Sequence, residues 1–416
     1  MNESRLGKRI IAAAAPMLPC VVLPSVAIHN ALGVHVKTVF AATLLILFFV
    51  RKGGSRYENN EKVFLILSLL SILTVIAWLW STLLSQLYMG LTLATMIALT
   101  WLTTRASFDK QSVNLLYRFT IIMLVGAWIG FLYSLSGGTP TYCFDNPDGR
   151  QNCLYLTTFS NSDPSMTWGL MRPAGLFDEP GALSFFVTLV VCLNELCGGG
   201  RRKSIILFAL GLVTLSVAHV FCFAAYAAFA FRRRIAYVAL VLTVVAGPMA
   251  DVLGEHFGEE SLLGATFFQR FSISDGQLTG DNRSEQIAEF FSLVDYNITR
   301  YGTNAMVKYG KGGVSARDQS SNPFSLWFGY GFLMWIPYAI VLVVLVWNIF
   351  QRRRPVQITA VLLVLLLLQR PVIYSLYWGL STWSVIALMF IRKAATEDDN
   401  PGTATRLQLT AQGSVT

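Results

Sequence analysis

The stretch VFLILSLLSILTVIAWLWS, Val63 to Ser81, carries no charge and does not alternate polar with apolar positions. As an α-helix rising about 1.5 Å per residue, such a run nearly covers the roughly 30 Å hydrocarbon core of a bilayer. The run VQITAVLLVLLLL, Val356 to Leu368, reads the same way. A membrane β-barrel would instead show segments of about ten residues with alternating polarity, so the spans are read as helices. Working outward, similar runs recur near 10–28, 37–50, 85–103, 115–136, 180–197, 204–218, 219–231, 235–253, 323–350, 356–369 and 374–391. Together they predict an all-α, polytopic membrane protein of about twelve transmembrane helices, both termini on the cytoplasmic side. The pair 204–218 and 219–231 is short for two spans and fits equally one bent or re-entrant element. The first span is read as retained, because no small-residue cleavage site follows it.

Composition agrees. The 416 residues are 54% hydrophobic and 13% charged, with a mean hydropathy of +0.54, whereas soluble domains carry about 25% charged residues. A soluble enzyme is excluded on that ground. The net charge of +9 sits in short clusters between apolar runs, among them Arg51 and Lys52, Arg201 to Lys203, Arg232 to Arg234 and Arg352 to Arg354. That is the positive-inside pattern, and it points to anionic membrane lipids as partners and away from nucleic acid. The membrane domain is expected over 1–393. Residues 394–416, with Glu397, Asp398 and Asp399 ahead of Pro401 and Gly402, read as a flexible cytoplasmic tail.

Two external connections are long, 137–179 and 253–322, and function is expected to concentrate there. Cys143 and Cys153 lie in the first, bracketing FDNPDGRQN. In an oxidising compartment they are expected to close a small disulfide ring; zinc is disfavoured because that loop has no His. The same loop ends in Arg172-Pro-Ala-Gly175-Leu-Phe177-Asp178-Glu179-Pro180-Gly181. Pro180 suits the first turn of a helix, which places Asp178 and Glu179 at its N-terminus, where the dipole favours anions. Capping accounts for one acid but not for the arginine before it.

The second loop supplies Arg270, Arg283 and Arg300. Guanidinium forks bind phosphate oxygens in bidentate fashion and stay charged, so a diphosphate is the natural ligand; local ion pairing is the plainer alternative. Arg283 opens an expected amphipathic helix with Ile287, Phe290, Phe291 and Val294 on one side. Arg370 closes the apolar run 358–368 on the external side, marking either a substrate path or a charge that snorkels to the interface. No P-loop, GxGxxG, GxSxG or HExxH string is present, which leaves ATP-driven transport, dinucleotide chemistry and serine or zinc hydrolysis without support.

The helix count, the two long loops, Arg172-x-x-Gly175-x-Phe177-x-Glu179-Pro180 and the string Ser321-Asn322-Pro323-Phe324 before the tenth helix together resemble the Wzy-type O-antigen and exopolysaccharide polymerases. Those proteins share a GT-C-like membrane fold with the O-antigen ligases. The resemblance runs from about residue 115 to 391. It implies a bacterial inner-membrane glycosyltransferase, active on the periplasmic face, that polymerises undecaprenyl-diphosphate-linked oligosaccharide repeat units. Implied partners are a chain-length regulator and a flippase; no cofactor or metal is implied. Carried over, Arg172 and Arg283 hold the diphosphate, followed by Arg270, Arg300 and Arg370.

Two departures stand out: the R-x10-G spacing of some polymerases is not met, and the ligases' His-Asn pair is here Ser321-Asn322. The chemistry requires charge stabilisation on the leaving diphosphate and a base for the acceptor hydroxyl. Glu179 is the expected base, with Asp178 second, and the transfer is expected to invert the anomeric centre. A ligase-type transferase and a lipid-linked sugar flippase are the alternative readings; a flippase is expected to show repeated halves and charges within its helices, and neither is evident.

Overall fold

The computed structural model describes residues 110–145, 151–161, 171–230, 291–292, 296–302, 322–351, 353–375 and 378–398, two short strands, Ile273–Ser274 and Gln277–Leu278, and the single positions Ser25 and Val294. The spans expected within 10–103 and at 235–253, together with Arg270 and Arg283, lie outside the described residues. What is described is mostly helical: α1 (Lys110–Leu135), α2 (Pro180–Leu196), α3 (Arg201–Gly211), α4 (Val217–Ala230), α5 (Tyr296–Tyr301), α6 (Ser325–Tyr330), α7 (Phe332–Ile349), α8 (Arg354–Gln369) and α9 (Gly379–Asp398). Among these, α1 and α7 are long and apolar enough to cross a membrane.

Helix α2 is the hub, packed on by α1, α3, α4, α8 and α9. The sequence permits this: PGALSFFVTLVVCLNEL has no polar stripe, so neighbouring helices can cover it on every side, and every residue but Gly181 and Glu195 is buried. By contrast α1 leaves Ile122, Val125, Ile129 and Leu132 exposed along one face, and α7 leaves Val343, Val346 and Trp347 exposed.

Among the described residues, the basic clusters that open α3 and α8 gather at one end of the bundle. Lys203, at the start of α3, donates to Asn114 near the start of α1 (2.7 Å). Beside it Glu195 accepts from Ser204 (2.6 Å) and from Tyr226 (2.7 Å), tying the end of α2 to the start of α3 and the last turns of α4. Arg354, opening α8, donates to the terminal α4 carbonyls of Phe229 and Ala230, where a cation suits both the orphan carbonyls and the helix dipole.

Three departures from the expected elements have physical causes. The expected span 323–350 is split by Gly331 (φ 91°) into α6 and α7. At that bend an added Cβ would meet the Arg300 carbonyl of α5 at 2.6 Å, so only glycine fits both the backbone and the contact. The 204–231 region is an α-helical hairpin, bent through a 3-10 turn at Leu212–Thr214 rather than at residue 218. The last helix continues to Asp398, past the expected end near 391.

The first long connection is not a plain loop. It folds into an antiparallel sheet of β1 (Tyr142–Asp145), β2 (Gln151–Tyr155) and β3 (Thr158–Ser160). Cys143 and Cys153 face each other in the register and form a disulfide. The sheet lies directly on α1: a Cβ at Gly130 would run into the Thr158 side chain and the Tyr155 carbonyl.

Candidate functional site

The segment from Met171 to Pro180 leads from the sheet into α2, and both sides hold it. The amide of Phe159 donates to the Gly175 carbonyl (2.8 Å) and that of Ala174 to the Phe159 carbonyl (2.7 Å), while Thr158 Oγ1 accepts from the Gly175 amide (2.9 Å). Phe177 is fully buried and packs against Phe186 (5.1 Å between centroids) and Trp378 (5.3 Å). With Phe177 as the plug and Gly175 in the left-handed region at φ 64°, the next residues are delivered to the mouth of α2.

There Glu179 forms an ion pair with Arg370. Glu179 is the N-cap residue of α2 in extended conformation, yet its side chain makes no capping hydrogen bond. Its carboxylate is turned to the arginine, so capping does not account for it. Arg370 arrives from the other side, immediately after α8, with its amide bonded to the Leu366 carbonyl (2.9 Å). Both side chains keep about a fifth of their surface open, at 21% and 20%, so the pair is half-buried and still reachable. Gly181 lets them meet: a Cβ there would stand 3.1 Å from Arg370 Nη2 and 3.7 Å from Glu179 Oε1.

Arg172 lies on the same segment and donates from Nη2 to the Leu215 carbonyl (3.2 Å) at the tip of the α3–α4 hairpin. Leu215 is itself left-handed, at φ 48°. Asp178 is half-buried beside Glu179. The mouth of α2 thus holds the Arg370 guanidinium and two carboxylates at the positive end of the helix dipole, with Arg172 earlier on the same segment, an arrangement that can exchange carboxylate for phosphate oxygens at Arg370.

No protein-family model, no curated protein and no solved structure matches this chain.

Of the residues singled out in the sequence, the structure brings Glu179 and Arg370 into direct contact, with Asp178 next to Glu179, while Arg172 lies seven residues earlier on the same segment and is bonded to Leu215. Arg300 lies on α5, which packs on α6 and α7, and donates to the Tyr296 hydroxyl (3.4 Å). Asn322 shapes a turn, its Oδ1 accepting from the Phe324 amide (2.8 Å). Among the described residues no three of His, Cys, Asp and Glu gather as metal ligands.

One feature was not singled out in the sequence. His219 and Ser184, 35 positions apart, meet in the core with Nδ1 and Oγ at 3.2 Å. A polar pair inside two apolar helices is its only sequence signal, and such pairs are usually structural.

Proposed function

We propose that this chain is a membrane glycosyltransferase that polymerises undecaprenyl-diphosphate-linked oligosaccharide units, with the α2 mouth as its donor site. The observation that carries the reading is the Glu179–Arg370 pair at the junction of α2 and α8, with Arg172 on the same segment. A lone arginine at the end of an apolar helix is explained by snorkelling; an arginine turned onto a carboxylate at a helix N-terminus is a poised anion site.

Helix lengths support a lipid-borne ligand. With 17 residues in α2 and 16 in α8, each rises about 25 Å, short of the roughly 30 Å core. If the basic ends sit at the cytoplasmic surface, the pair lies a few ångströms below the opposite one. A diphosphate carried on a polyprenyl chain reaches that depth from the side, whereas a water-soluble anion meets a barrier there.

In the reaction, the acceptor hydroxyl oxygen attacks the anomeric carbon of the donor glycan as the bond from that carbon to the diphosphate oxygen breaks. Undecaprenyl diphosphate leaves with the bonding electrons, and the configuration inverts. Arg370 and Arg172 stabilise the charge that grows on the leaving oxygen. As the diphosphate takes over Arg370, Glu179 is released from its ion pair and accepts the hydroxyl proton.

The test is incubation of the nanodisc-embedded protein with the host's own lipid-linked repeat unit, read as a glycan ladder on a gel. A ladder that disappears in Arg370→Ala and is slowed but still measurable in Arg172→Ala supports the reading. Transfer of a single glycan to an added lipid acceptor would replace it with a ligase, and no transfer from the native donor would leave transport.

A further inference from the structure

The α3–α4 hairpin carries a buried contact whose position bears on Arg172. Helix α3 tightens into a 3-10 turn at Leu212, and the Leu212 amide bonds to the carbonyls of Ala209 and Leu210. The carbonyl of Phe208, which an unbroken helix would have paired with that amide, is left for another donor.

His219 supplies the donor. Its Nε2 stands 2.8 Å from the Phe208 oxygen, and a carbonyl only accepts, so Nε2 carries the proton. In that tautomer Nδ1 is an acceptor, and the hydroxyl of Ser184 on α2 donates to it across 3.2 Å. Both side chains are buried, at 0% and 2% exposure. Gly211 makes room: a Cβ there would strike the imidazole ring.

The imidazole therefore joins three elements at one point: the end of α3, the start of α4 and the second turn of α2. One helical turn before it is Leu215, held left-handed at φ 48°, a conformation that the Cβ of a leucine disfavours. The His219 amide closes this turn on the Ser216 carbonyl (2.9 Å). The carbonyl that the strained residue presents is the one that receives Arg172 Nη2. Strain of this kind persists only where its surroundings hold it, and Ser184 and His219 are the surroundings that tie the tip to α2.

We infer that His219 is a positioning residue: locked to α2 through Ser184, it fixes the Leu215 carbonyl and thereby aims Arg172 at the mouth of α2. The catalytic part of this inference rests on the proposed polymerase activity; the contact itself does not. Two measurements keep them apart.

The first reads Arg172 alone. In nanodiscs, the rate at which phenylglyoxal modifies Arg172 is followed by peptide mass for wild type, His219→Ala, His219→Gln and Ser184→Ala. Release of Arg172 from the carbonyl is expected to raise that rate at least threefold in His219→Ala and Ser184→Ala. His219→Gln, whose amide again offers one donor and one acceptor, is expected to fall back toward wild type. An unchanged rate in both Ala variants, with folding confirmed by an unaltered size-exclusion profile, overturns the inference whatever the protein's activity.

The second is a double-mutant cycle on glycan transfer. If His219 acts through Arg172, His219→Ala lowers transfer about tenfold in wild type and leaves an Arg172→Ala background unchanged. A merely structural histidine would lower both equally, and that additivity would also overturn the inference. Absence of transfer in wild type refutes the polymerase reading, while the modification rates still decide the role of His219.

Discussion

At the scale of single residues, the decisive fact is that Glu179 faces Arg370 instead of capping α2. A half-buried ion pair contributes little net stability, but removing one partner leaves the other charge exposed to a poor solvent. Arg370→Gln alone is therefore expected to destabilise by about 1–3 kcal/mol, and Glu179→Gln to do likewise. The double variant Glu179→Gln/Arg370→Gln should recover most of the thermal stability in detergent and none of the glycan transfer. If it recovers both, the pair is structural and the base lies elsewhere. Gly181→Ala probes the same point more gently: its Cβ would press on the guanidinium at 3.1 Å, so transfer is expected to fall more than the melting temperature does.

Legibility at this scale was uneven, for a physical reason. Arg172, Glu179 and Arg370 stood out because charge is expensive next to apolar runs and so signals a cause wherever it occurs. Which charge meets which depends on helix ends that approach only in three dimensions, and the sequence left Arg370 open between snorkelling and function. His219 lay outside the candidate set because a neutral imidazole in a core costs little once hydrogen-bonded.

At the scale of elements, the first long connection holds the clearest lesson. Its cysteines were legible as a pair, but its strands of four, five and three residues are too short to show a periodic signal against a background of spans. The turn-forming string Asn146-Pro147-Asp148-Gly149, between two stretches rich in aromatic residues, is the signal that would have found the first hairpin. The sheet matters because β3 holds Ala174 and Gly175 by backbone hydrogen bonds, so its order is passed on to Arg172 and Glu179.

Two predictions belong here. Cys143→Ser opens a ring of sequence separation 10 and is expected to cost about 2–3 kcal/mol, with transfer lost before the helices melt, as read by circular dichroism alongside the gel assay. Leu156, left-handed at φ 53° in the β2–β3 turn and 47% exposed, gains nothing from burial that would offset its backbone cost. Leu156→Asn is expected to raise stability by about 0.5–1 kcal/mol, measured as a higher melting temperature at unchanged activity; a lower one would show that the leucine side chain is held by packing.

At the scale of the whole molecule, charge placement and helix direction tell one story. Lys110, Lys203 and Arg354 open α1, α3 and α8, and side-chain bonds between Lys203 and Asn114, Glu195 and Tyr226, and Arg354 and Ala230 bring those openings to a common end. Arg172, Glu179, Arg370 and the disulfide-bonded sheet lie at the other. The alternation of basic and non-basic connections in the sequence anticipates this segregation, because a helical bundle can satisfy it only by running its helices up and down in turn. The bend at Gly331 and the hairpin tip at Leu215 escaped the same reading, since hydropathy reports where a chain is apolar and not where it turns.

The segregation makes a prediction about orientation that is independent of any enzymology. In a background with its native cysteines replaced, single cysteines at Arg202 and Arg353 should react with a membrane-impermeant maleimide only in inside-out vesicles. Cysteines at Gly137 and Thr141, beside the sheet, should react only in right-side-out cells. Labelling of all four from one side would mean that both ends of the bundle share a compartment. The short helices α2 and α8 would then not be spans at all, and the charged mouth between them would open to the same water as the basic ends. Opposite labelling would leave Glu179 and Arg370 near the far surface of the bilayer, where the positive end of α2 and the Arg370 guanidinium would face the headgroup region from which the proposed lipid-linked diphosphate would arrive.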